Sequence, residues 1–164
     1  MKRVILVRHA KSISYGYDQD YDRTLTDRGE EDAAKISEKL KGLGVKADLI
    51  IASPAVRTTQ TAKIYAQALG YDAMTIRFEK KLYSGKSAEN FLAMLQELED
   101  EMETIIIFGH NPTVYYYLQF LLDNFTTDVP TCSTVGIDFK VDSWSQLAEN
   151  QGTLAFRLIP DQFD

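Results

Sequence analysis

Short apolar runs alternate with segments of helical spacing along this chain, and this alternation constrains the fold more than any other feature. The runs at 3–8, 48–52 and 104–108 are short, continuous and rich in Ile, Leu and Val, a pattern typical of strands buried on both faces. A more polar strand is expected at 74–78. Because strands and helices alternate, the sequence predicts a three-layer α/β/α fold, with a mostly parallel central sheet and helices on both faces.

Capping residues and helix breakers set the expected limits of the helices. Ser53 is expected to cap the second helix, with Pro54 at its first helical position. The four expected helices run from the cap Thr26 to Gly42 or Gly44, from Ala55 to Leu69, from Ser87 to Glu101, and from Pro112 to Leu122. Two further segments, 133–141 and 153–159, are predicted to pair as antiparallel strands at the sheet edge.

Length and composition favour one acidic domain spanning residues 1–164. The net charge of -6 at pH 7 argues against a nucleic-acid-binding surface. Cys132 is the only cysteine, which excludes an intramolecular disulfide and a cysteine-rich zinc site. The first apolar run is too short for a membrane span or for the core of a signal peptide. We therefore expect a cytoplasmic monomer that binds neither nucleic acid nor membrane.

The polar residues with the clearest chemical meaning stand where apolar runs end. The only two histidines, His9 and His110, each follow a predicted buried strand. Arg8 precedes the first of them, and Arg57 lies one turn inside the helix after another strand. Ligands of open α/β sheets bind at the carboxyl ends of the strands. Two imidazoles and two guanidiniums at that edge form a pocket for a doubly charged anion, and the chemistry that best uses them is phosphoryl transfer through a histidine.

Each of these features alone has an ordinary structural explanation. An Arg-His pair occurs as the polar end of a strand, an arginine on a helix often faces solvent, and a histidine before a helix often serves as a cap. The combination favours a site, because three separate strand ends each supply a group that binds phosphate.

Four motifs at these positions resemble those of the histidine phosphatase superfamily, also called the phosphoglycerate-mutase-like fold. They are Val7-Arg8-His9-Ala10-Lys11-Ser12, Leu25-Thr26-Asp27-Arg28-Gly29, Ser53-Pro54-Ala55-Val56-Arg57-Thr58-Thr59-Gln60-Thr61 and Gly109-His110-Asn111-Pro112. Their order and spacing match the superfamily over nearly the whole chain. The short length and the Arg-His-Ala, Leu-Thr-Asp-Arg-Gly and His-Asn-Pro sequences are most similar to its SixA-type phosphohistidine phosphatase branch.

The resemblance implies a role for each residue of the set. His9 would be the nucleophile that becomes a transient phosphohistidine. Arg8, Arg57 and His110 would hold the phosphoryl oxygens and stabilise the charge of the transition state. The resemblance implies a hydrolase without a metal ion or another cofactor.

Neighbouring residues are candidates for supporting roles. Asn111 would help to orient the site, and Ser12 or Lys11 would touch the edge of the bound phosphate. Ala10 stands where the family usually has glycine, a change that an ordinary backbone conformation tolerates. Glu79 is a candidate general acid, or else an exposed residue at a strand end, because the Glu-Gly signature of the mutases is absent.

The weak signal for a general acid bears on the substrate. An alkoxide leaving group needs a proton, whereas an imidazole leaves readily once its ring is protonated. We therefore expect a metal-independent phosphatase that hydrolyses protein phosphohistidine. Two alternatives stay open: a phosphatase of small phosphorylated metabolites, and a non-catalytic module that binds phosphorylated groups or partner proteins through the same pocket.

An acidic segment at 18–22 begins like a calcium-binding loop. Arg23 stands where that loop requires glycine, and Gly29 stands where it requires glutamate. We therefore interpret the segment as a solvated acidic loop.

Overall fold

A six-stranded, mostly parallel sheet forms the centre of the computed structural model, which describes residues 1–164. Its strands are β1 (Lys2–Arg8), β2 (Leu49–Ala52), β3 (Arg77–Phe78), β4 (Thr104–Gly109), β5 (Thr134–Phe139) and β6 (Thr153–Leu158). Their order across the sheet is β3-β2-β4-β1-β5-β6, in which β5 is antiparallel to β1 and to β6. The predicted fold class, including its antiparallel edge, is confirmed.

Five α-helices connect these strands. They are α1 (Asp27–Gly42), α2 (Val56–Leu69), α3 (Lys81–Ser84), α4 (Ala88–Gln96) and α5 (Thr113–Leu121). The predicted cap of α1 is present, because the Thr26 hydroxyl accepts a hydrogen bond from the backbone nitrogen of Gly29. Gly70 ends α2 in the left-handed conformation that glycine adopts at little cost.

The predicted cap of α2 is wrong. The helix begins at Val56 and its N-cap residue is Ala55, which has no side-chain capping bond. Ser53 lies two residues before the N-cap position, and its hydroxyl is 2.8 Å from Nε2 of His110. A serine before proline is a common helix start, but here the serine hydroxyl is hydrogen-bonded to His110, which follows another strand.

Two other elements are shorter than predicted. β3 contains only Arg77–Phe78, because residues 73–75 form a turn of 310 helix. α4 ends at Gln96, before its predicted end; in the segment that follows, the Asp100 carboxylate accepts the backbone N–H of Trp144. The single turn α3 was not predicted, because four residues are too few to show a helical period.

The two faces of the sheet carry separate apolar cores. On β1, Val4 and Leu6 pack on one face, while Ile5 and Val7 pack on the other. The first face is covered by α4 and α5, and the second by α1 and α2. A helix layer on each face removes both sides of the continuous apolar strands from water, which is the dominant driving force for this architecture.

Three neighbouring parallel strands bring their carboxyl ends to one edge of the sheet. β4 lies between β2 and β1, so Phe108 pairs with Ala52 and Gly109 pairs with Arg8. The residues that follow these strands therefore meet, although they are far apart in sequence. β3 is the outer neighbour of β2, which places Glu79 at the same edge but one strand further out.

Gly29 is expected to tolerate substitution poorly because α1 packs against the segment that follows His9. A Cβ atom at Gly29 would lie 2.1 Å from the carbonyl oxygen of Lys11, which also accepts the backbone N–H of Thr26. Gly29→Ala must separate two backbone segments, and we expect it to lower the free energy of unfolding by about 1–3 kcal/mol.

Gly42→Ala is the matched control in the same helix, because a Cβ atom there meets nothing within 4 Å. This variant should leave the free energy of unfolding unchanged or raise it by up to about 1 kcal/mol. Urea denaturation gives the free energy of unfolding of both variants. Equal effects of the two substitutions would contradict the close approach at Gly29.

Candidate active site

The ring of His9 is held in one orientation at the end of β1. Nδ1 lies 2.7 Å from the carbonyl oxygen of Ala10, and because a carbonyl only accepts, Nδ1 carries the ring proton and donates it. The lone pair is therefore on Nε2, which lies 3.4 Å from Nε of Arg57. Only 7% of His9 is exposed. A neutral imidazole with one oriented lone pair is suited to nucleophilic attack.

Arg57 reaches this ring from the first turn of α2. Its guanidinium directs Nε toward His9, while the two terminal nitrogens turn toward Asp20. Nη1 donates to the backbone carbonyl oxygen of Asp20 at 2.8 Å, and Nη2 donates to its carboxylate at 2.9 Å. The side chain is buried, so the orientation of the guanidinium is set by these contacts.

His110 and Arg8 complete the cluster around His9. The ring centroids of His110 and His9 are 5.3 Å apart. His110 Nε2 shares the hydrogen bond with Ser53 described above, and Nη1 of Arg8 donates to the carbonyl oxygen of Val129 at 3.0 Å. The structure thus brings the four principal predicted residues to one edge of the sheet.

Buried polar atoms without a protein partner concentrate in this cluster. Nε of Arg8, Nδ1 of His110 and Oδ1 of Asn111 are in this condition, and the only such side-chain atom elsewhere is Nε of Arg157. Asn111 is held by its amide nitrogen, which donates to the carbonyl oxygen of Val129 at 2.9 Å. Buried polar groups are nearly always paired in native proteins, and a functional role is one physical reason for an exception.

Burial keeps both histidines of the cluster neutral. It lowers the pKa of His9 to about 4; the positive charges of Arg57 and Arg8 add to this effect, and the hydrogen bond to Ala10 opposes it. Burial also lowers the pKa of His110 to about 3, assisted by the neighbouring His9 and Arg57. The lone pair on Nε2 of His9 is therefore available at neutral pH.

An NMR titration tests this electrostatic environment without ambiguity, because the chain has only two histidines. Both rings are expected to stay neutral down to about pH 5, whereas a free imidazole titrates near pH 6.5. Because the unfolded chain binds these protons at higher pH than the folded chain, the free energy of unfolding should fall as the pH drops from about 6.5 toward about 4. A midpoint near 6.5 for either ring would contradict the burial.

Two residues that the sequence analysis did not assign contact the cluster. The hydroxyl of Tyr83 donates to the carboxylate of Asp20 at 3.0 Å, and its ring lies edge-on to His110 with centroids 5.6 Å apart. The acidic segment is largely exposed, but Asp20 also binds the cluster, a contact that the sequence analysis did not predict. Burial works to raise the pKa of Asp20, but hydrogen bonds from Arg23, Arg57 and Tyr83 outweigh it and lower the pKa to about 2.

The structure does not bring three of the supporting candidates into hydrogen-bond contact with the cluster. The Ser12 hydroxyl accepts from Nη2 of Arg23 at 2.8 Å, and Lys11 is exposed. The Glu79 carboxylate accepts the backbone N–H of Lys81 at 3.2 Å. The phosphate-binding role of Ser12 and the acid role of Glu79 stay predictions that no contact in this structure supports.

The charge of the cluster suits an anion. Two guanidiniums stand beside two neutral imidazoles, and guanidiniums match the oxygens of phosphate while repelling metal cations. No group of three or more His, Cys, Asp or Glu residues in the structure is arranged to hold a metal ion. The helices include none that combines the length and apolar character needed to cross a membrane.

Comparison with known proteins identifies the family. The sequence model of the histidine phosphatase superfamily (branch 1) matches residues 4–83, which include His9 and Arg57. An uncharacterized chloroplastic protein of Arabidopsis thaliana is 30% identical over 165 residues, which cover 96% of this chain and 75% of that protein. The chain belongs to the histidine phosphatase superfamily. The predicted resemblance is therefore confirmed, and the chain is a phosphatase of this superfamily.

Solved structures are similar to this histidine phosphatase over nearly its whole length. The protein histidine phosphatase SixA in complex with tungstate has a TM-score of 0.86 at 21% identity, covering 99% of each chain. A protein of Agrobacterium tumefaciens that carries the SixA name has a TM-score of 0.80 at 25% identity, covering 97% of this chain and 98% of the other. The first similarity shows the shared fold, and the second, at 25% identity, confirms the predicted SixA-type branch.

Another relative is named as a phosphatase of phosphorylated serine and threonine. The mitochondrial serine/threonine-protein phosphatase Pgam5 of Drosophila virilis is 36% identical over 84 residues. The match covers 51% of this histidine phosphatase but only 29% of Pgam5. Membership of the superfamily therefore leaves the substrate to be decided by the chemistry of the site.

Proposed function

We propose that this histidine phosphatase hydrolyses protein phosphohistidine through a covalent intermediate on His9. One observation carries the proposal: Nε2 of a neutral, oriented His9 faces Arg57, and no protonated carboxyl group contacts them. In this proposal, Arg8, Arg57 and His110 bind the phosphoryl oxygens. Asn111 orients the segment that follows β4.

The first step transfers the phosphoryl group to the enzyme. The lone pair on Nε2 of His9 attacks phosphorus in line with the bond that breaks, which joins phosphorus to the imidazole nitrogen of the substrate. That substrate ring enters protonated on its other nitrogen, so it takes the electron pair of the broken bond and leaves as neutral imidazole. The guanidiniums of Arg8 and Arg57 stabilise the negative charge on the phosphoryl oxygens during transfer.

The second step releases inorganic phosphate. A water molecule attacks the phosphorus of phospho-His9, and the bond between phosphorus and Nε2 breaks. The electron pair returns to Nε2, and the protons of the water pass to the phosphate and to solvent. Nδ1 of His9 keeps its proton throughout, because its hydrogen bond to Ala10 persists in both states.

The balance of protons supports a nitrogen-linked phosphate as the substrate. Asp20 is a carboxylate in contact with the cluster, and its pKa of about 2 keeps it ionised at neutral pH. Glu79 is bonded to the backbone of Lys81 instead. An alkoxide leaving group would therefore lack a proton donor, whereas an imidazole with a pKa of about 6.5 leaves as a neutral ring without one.

A side-by-side assay tests the substrate class. The purified protein is incubated with a phosphohistidine-containing protein, a phosphoserine peptide and a set of sugar phosphates, and phosphate release is quantified for each. We expect the highest kcat/KM for phosphohistidine, with the His9→Ala protein as the blank for contaminating phosphatases. A higher kcat/KM for any phosphomonoester would refute this preference.

Two alternatives predict different results in the same assay. A phosphomonoester phosphatase, which the partial match to Pgam5 favours, would cleave the phosphoserine peptide or the sugar phosphates faster, and Glu79→Gln would reduce that activity. A non-catalytic module would bind inorganic phosphate but release none from any substrate. It would also form no acid-labile phosphoryl adduct.

We predict that the activity does not depend on a metal ion, because the proposed nucleophile and all the proposed phosphate ligands are side-chain nitrogens of the protein. Prolonged dialysis against EDTA should leave kcat unchanged. The control is the dialysed protein after addition of Mg²⁺ or Zn²⁺, which should show the same rate. Loss of activity that either ion restores would count against the proposed site.

We also propose that residues 1–164 act as one domain, as a monomer, in the cytoplasm. The single sheet shared by both apolar cores supports one domain. Sedimentation equilibrium gives the mass in solution, and a stable dimer would refute the monomer. Fractionation of cells tests the location. The alternative location is the chloroplast, which is named for the Arabidopsis thaliana relative.

A further inference from the structure

Asp20 contacts Arg57 at two points on the side of the guanidinium that faces away from His9. Its backbone oxygen accepts from Nη1 and its carboxylate accepts from Nη2, while Nε remains directed at the nucleophile. Because the guanidinium is planar, two contacts on its terminal nitrogens define both its plane and its rotation. Arg57 is buried, so no contact with bulk water offers an alternative of equal strength.

The carboxylate of Asp20 is itself held by other donors. Nη1 of Arg23 donates to Oδ1 at 2.8 Å, and the hydroxyl of Tyr83 donates to Oδ2 at 3.0 Å. Arg23 is anchored in turn, because its Nε donates to the carbonyl oxygen of Ile13 at 2.7 Å. Asp20 is therefore an ionised group with a defined position, although about half of its side chain is exposed.

Tyr83 extends this connection to His110, whose ring is also a neighbour of His9. Its ring packs edge-on against His110, and Tyr21 packs edge-on against Tyr83 with centroids 5.2 Å apart. Asp20 thus binds Arg57 directly and is linked to His110 through Tyr83.

We propose that Asp20 is a positioning residue for phosphoryl transfer, which orients Arg57 toward the group transferred to His9 and steadies His110 through Tyr83. This inference rests on the proposed function, since it concerns the same phosphoryl-binding side chains. Asp20 touches neither the substrate nor the reacting atoms. Side chains that orient the direct ligands of a site commonly affect activity about 10- to 100-fold.

A carboxylate beside an anion site has a second interpretation. It would act as a place-holder that the substrate displaces from Arg57, and its removal would then strengthen anion binding. The geometry favours positioning, because Asp20 bonds only to the terminal nitrogens of Arg57, while Nε of Arg57 donates to Nε2 of His9 at 3.4 Å. The two interpretations predict opposite signs for the change in anion affinity.

Three variants form the test. Asp20→Ala removes the contacts of the carboxylate, whereas Asp20→Asn keeps one oxygen to accept from Arg57 and Tyr83. Asp22→Ala is the matched control, because Asp22 lies in the same 310 turn, is exposed and forms no side-chain hydrogen bond, so it removes the same charge without touching the cluster. We expect Asp20→Ala to lower kcat by about 10- to 100-fold. Asp20→Asn should have a kcat close to that of the unsubstituted protein, and Asp22→Ala should leave kcat unchanged.

Calorimetric titration with tungstate provides a readout that needs no turnover. We expect Asp20→Ala to bind tungstate more weakly than the unsubstituted protein, and Asp20→Asn to bind it with nearly the original affinity. If the alanine variant does not fold, Asp20→Ser, whose hydroxyl is one atom shorter than the carboxylate that reaches Arg57, carries the test with the same expected losses. A protein that binds tungstate with this dependence on Asp20 but hydrolyses nothing would refute the proposed function and leave the positioning role standing.

Tighter binding of tungstate by either Asp20 variant would overturn the proposal and make Asp20 a place-holder. Equal losses of kcat in Asp20→Ala and Asp20→Asn would overturn it as well, because the contact with Arg57 would then not be the cause. Rescue by the asparagine variant is the result that a role confined to loop stability does not produce.

Discussion

Replacing His9 with alanine is expected to abolish turnover of every phosphorylated substrate. The ring supplies the lone pair that forms the covalent bond, and loss of such a nucleophile costs on the order of 10⁶-fold in kcat. His110 cannot replace His9 as the nucleophile, because Nε2 of His110 is hydrogen-bonded to the Ser53 hydroxyl. Phosphate release from the best substrate of the assay panel measures the effect.

Binding of tungstate is the control for this variant. Arg8, Arg57 and His110 remain in place after His9→Ala, so the variant should still bind the anion while hydrolysing nothing. That separation of binding from turnover distinguishes loss of the nucleophile from loss of the fold. A His9→Ala protein with measurable turnover would end the proposal of a covalent mechanism.

Replacing Arg57 with alanine is expected to lower kcat by about 100-fold or more. Nε of the guanidinium stands 3.4 Å from the attacking nitrogen, so its positive charge lies beside the position at which the phosphoryl group is transferred. Arg57→Lys keeps the charge but not the planar fork, so it loses the paired contacts with Asp20 and should recover only part of the activity. Steady-state kinetics of both variants give the two values.

The same substitution has an electrostatic consequence for His9. The charge of Arg57 contributes to the low pKa of His9, so Arg57→Ala should raise that pKa, and the NMR titration of the two rings should show the shift. Arg77→Ala is the matched control, because Arg77 is an exposed arginine on β3 and its loss changes the net charge equally. A loss of activity no larger than that of Arg77→Ala would contradict the role of Arg57.

The sheet and the principal cluster were predictable from the sequence for a physical reason. Strands buried on both faces appear as continuous apolar runs, and in β1 and β4 each run ends in a histidine. Parallel strands place such ends at one edge, so His9 and His110 had to lie near each other once the fold class was correct. Arg57 followed from the same argument, because a helix start after β2 begins at that edge.

The contacts around the cluster were not predictable in the same way. Asp20 is one of several acidic residues in an irregular loop, and nothing in its neighbours marks it as the partner of Arg57. Ser53 precedes a proline, so it resembled a helix cap although its hydroxyl bonds to His110. The carbonyl of Val129, which holds both Arg8 and Asn111, is a backbone group without any signal in the sequence.

Trapping the phosphorylated enzyme tests the covalent mechanism most directly. The protein is mixed with phosphohistidine substrate, quenched in alkali within one turnover, digested and analysed by mass spectrometry. The covalent mechanism predicts one added phosphoryl group on the peptide that contains His9, stable in alkali and lost in acid. Turnover without any such adduct, or an adduct on a residue other than His9, would contradict it.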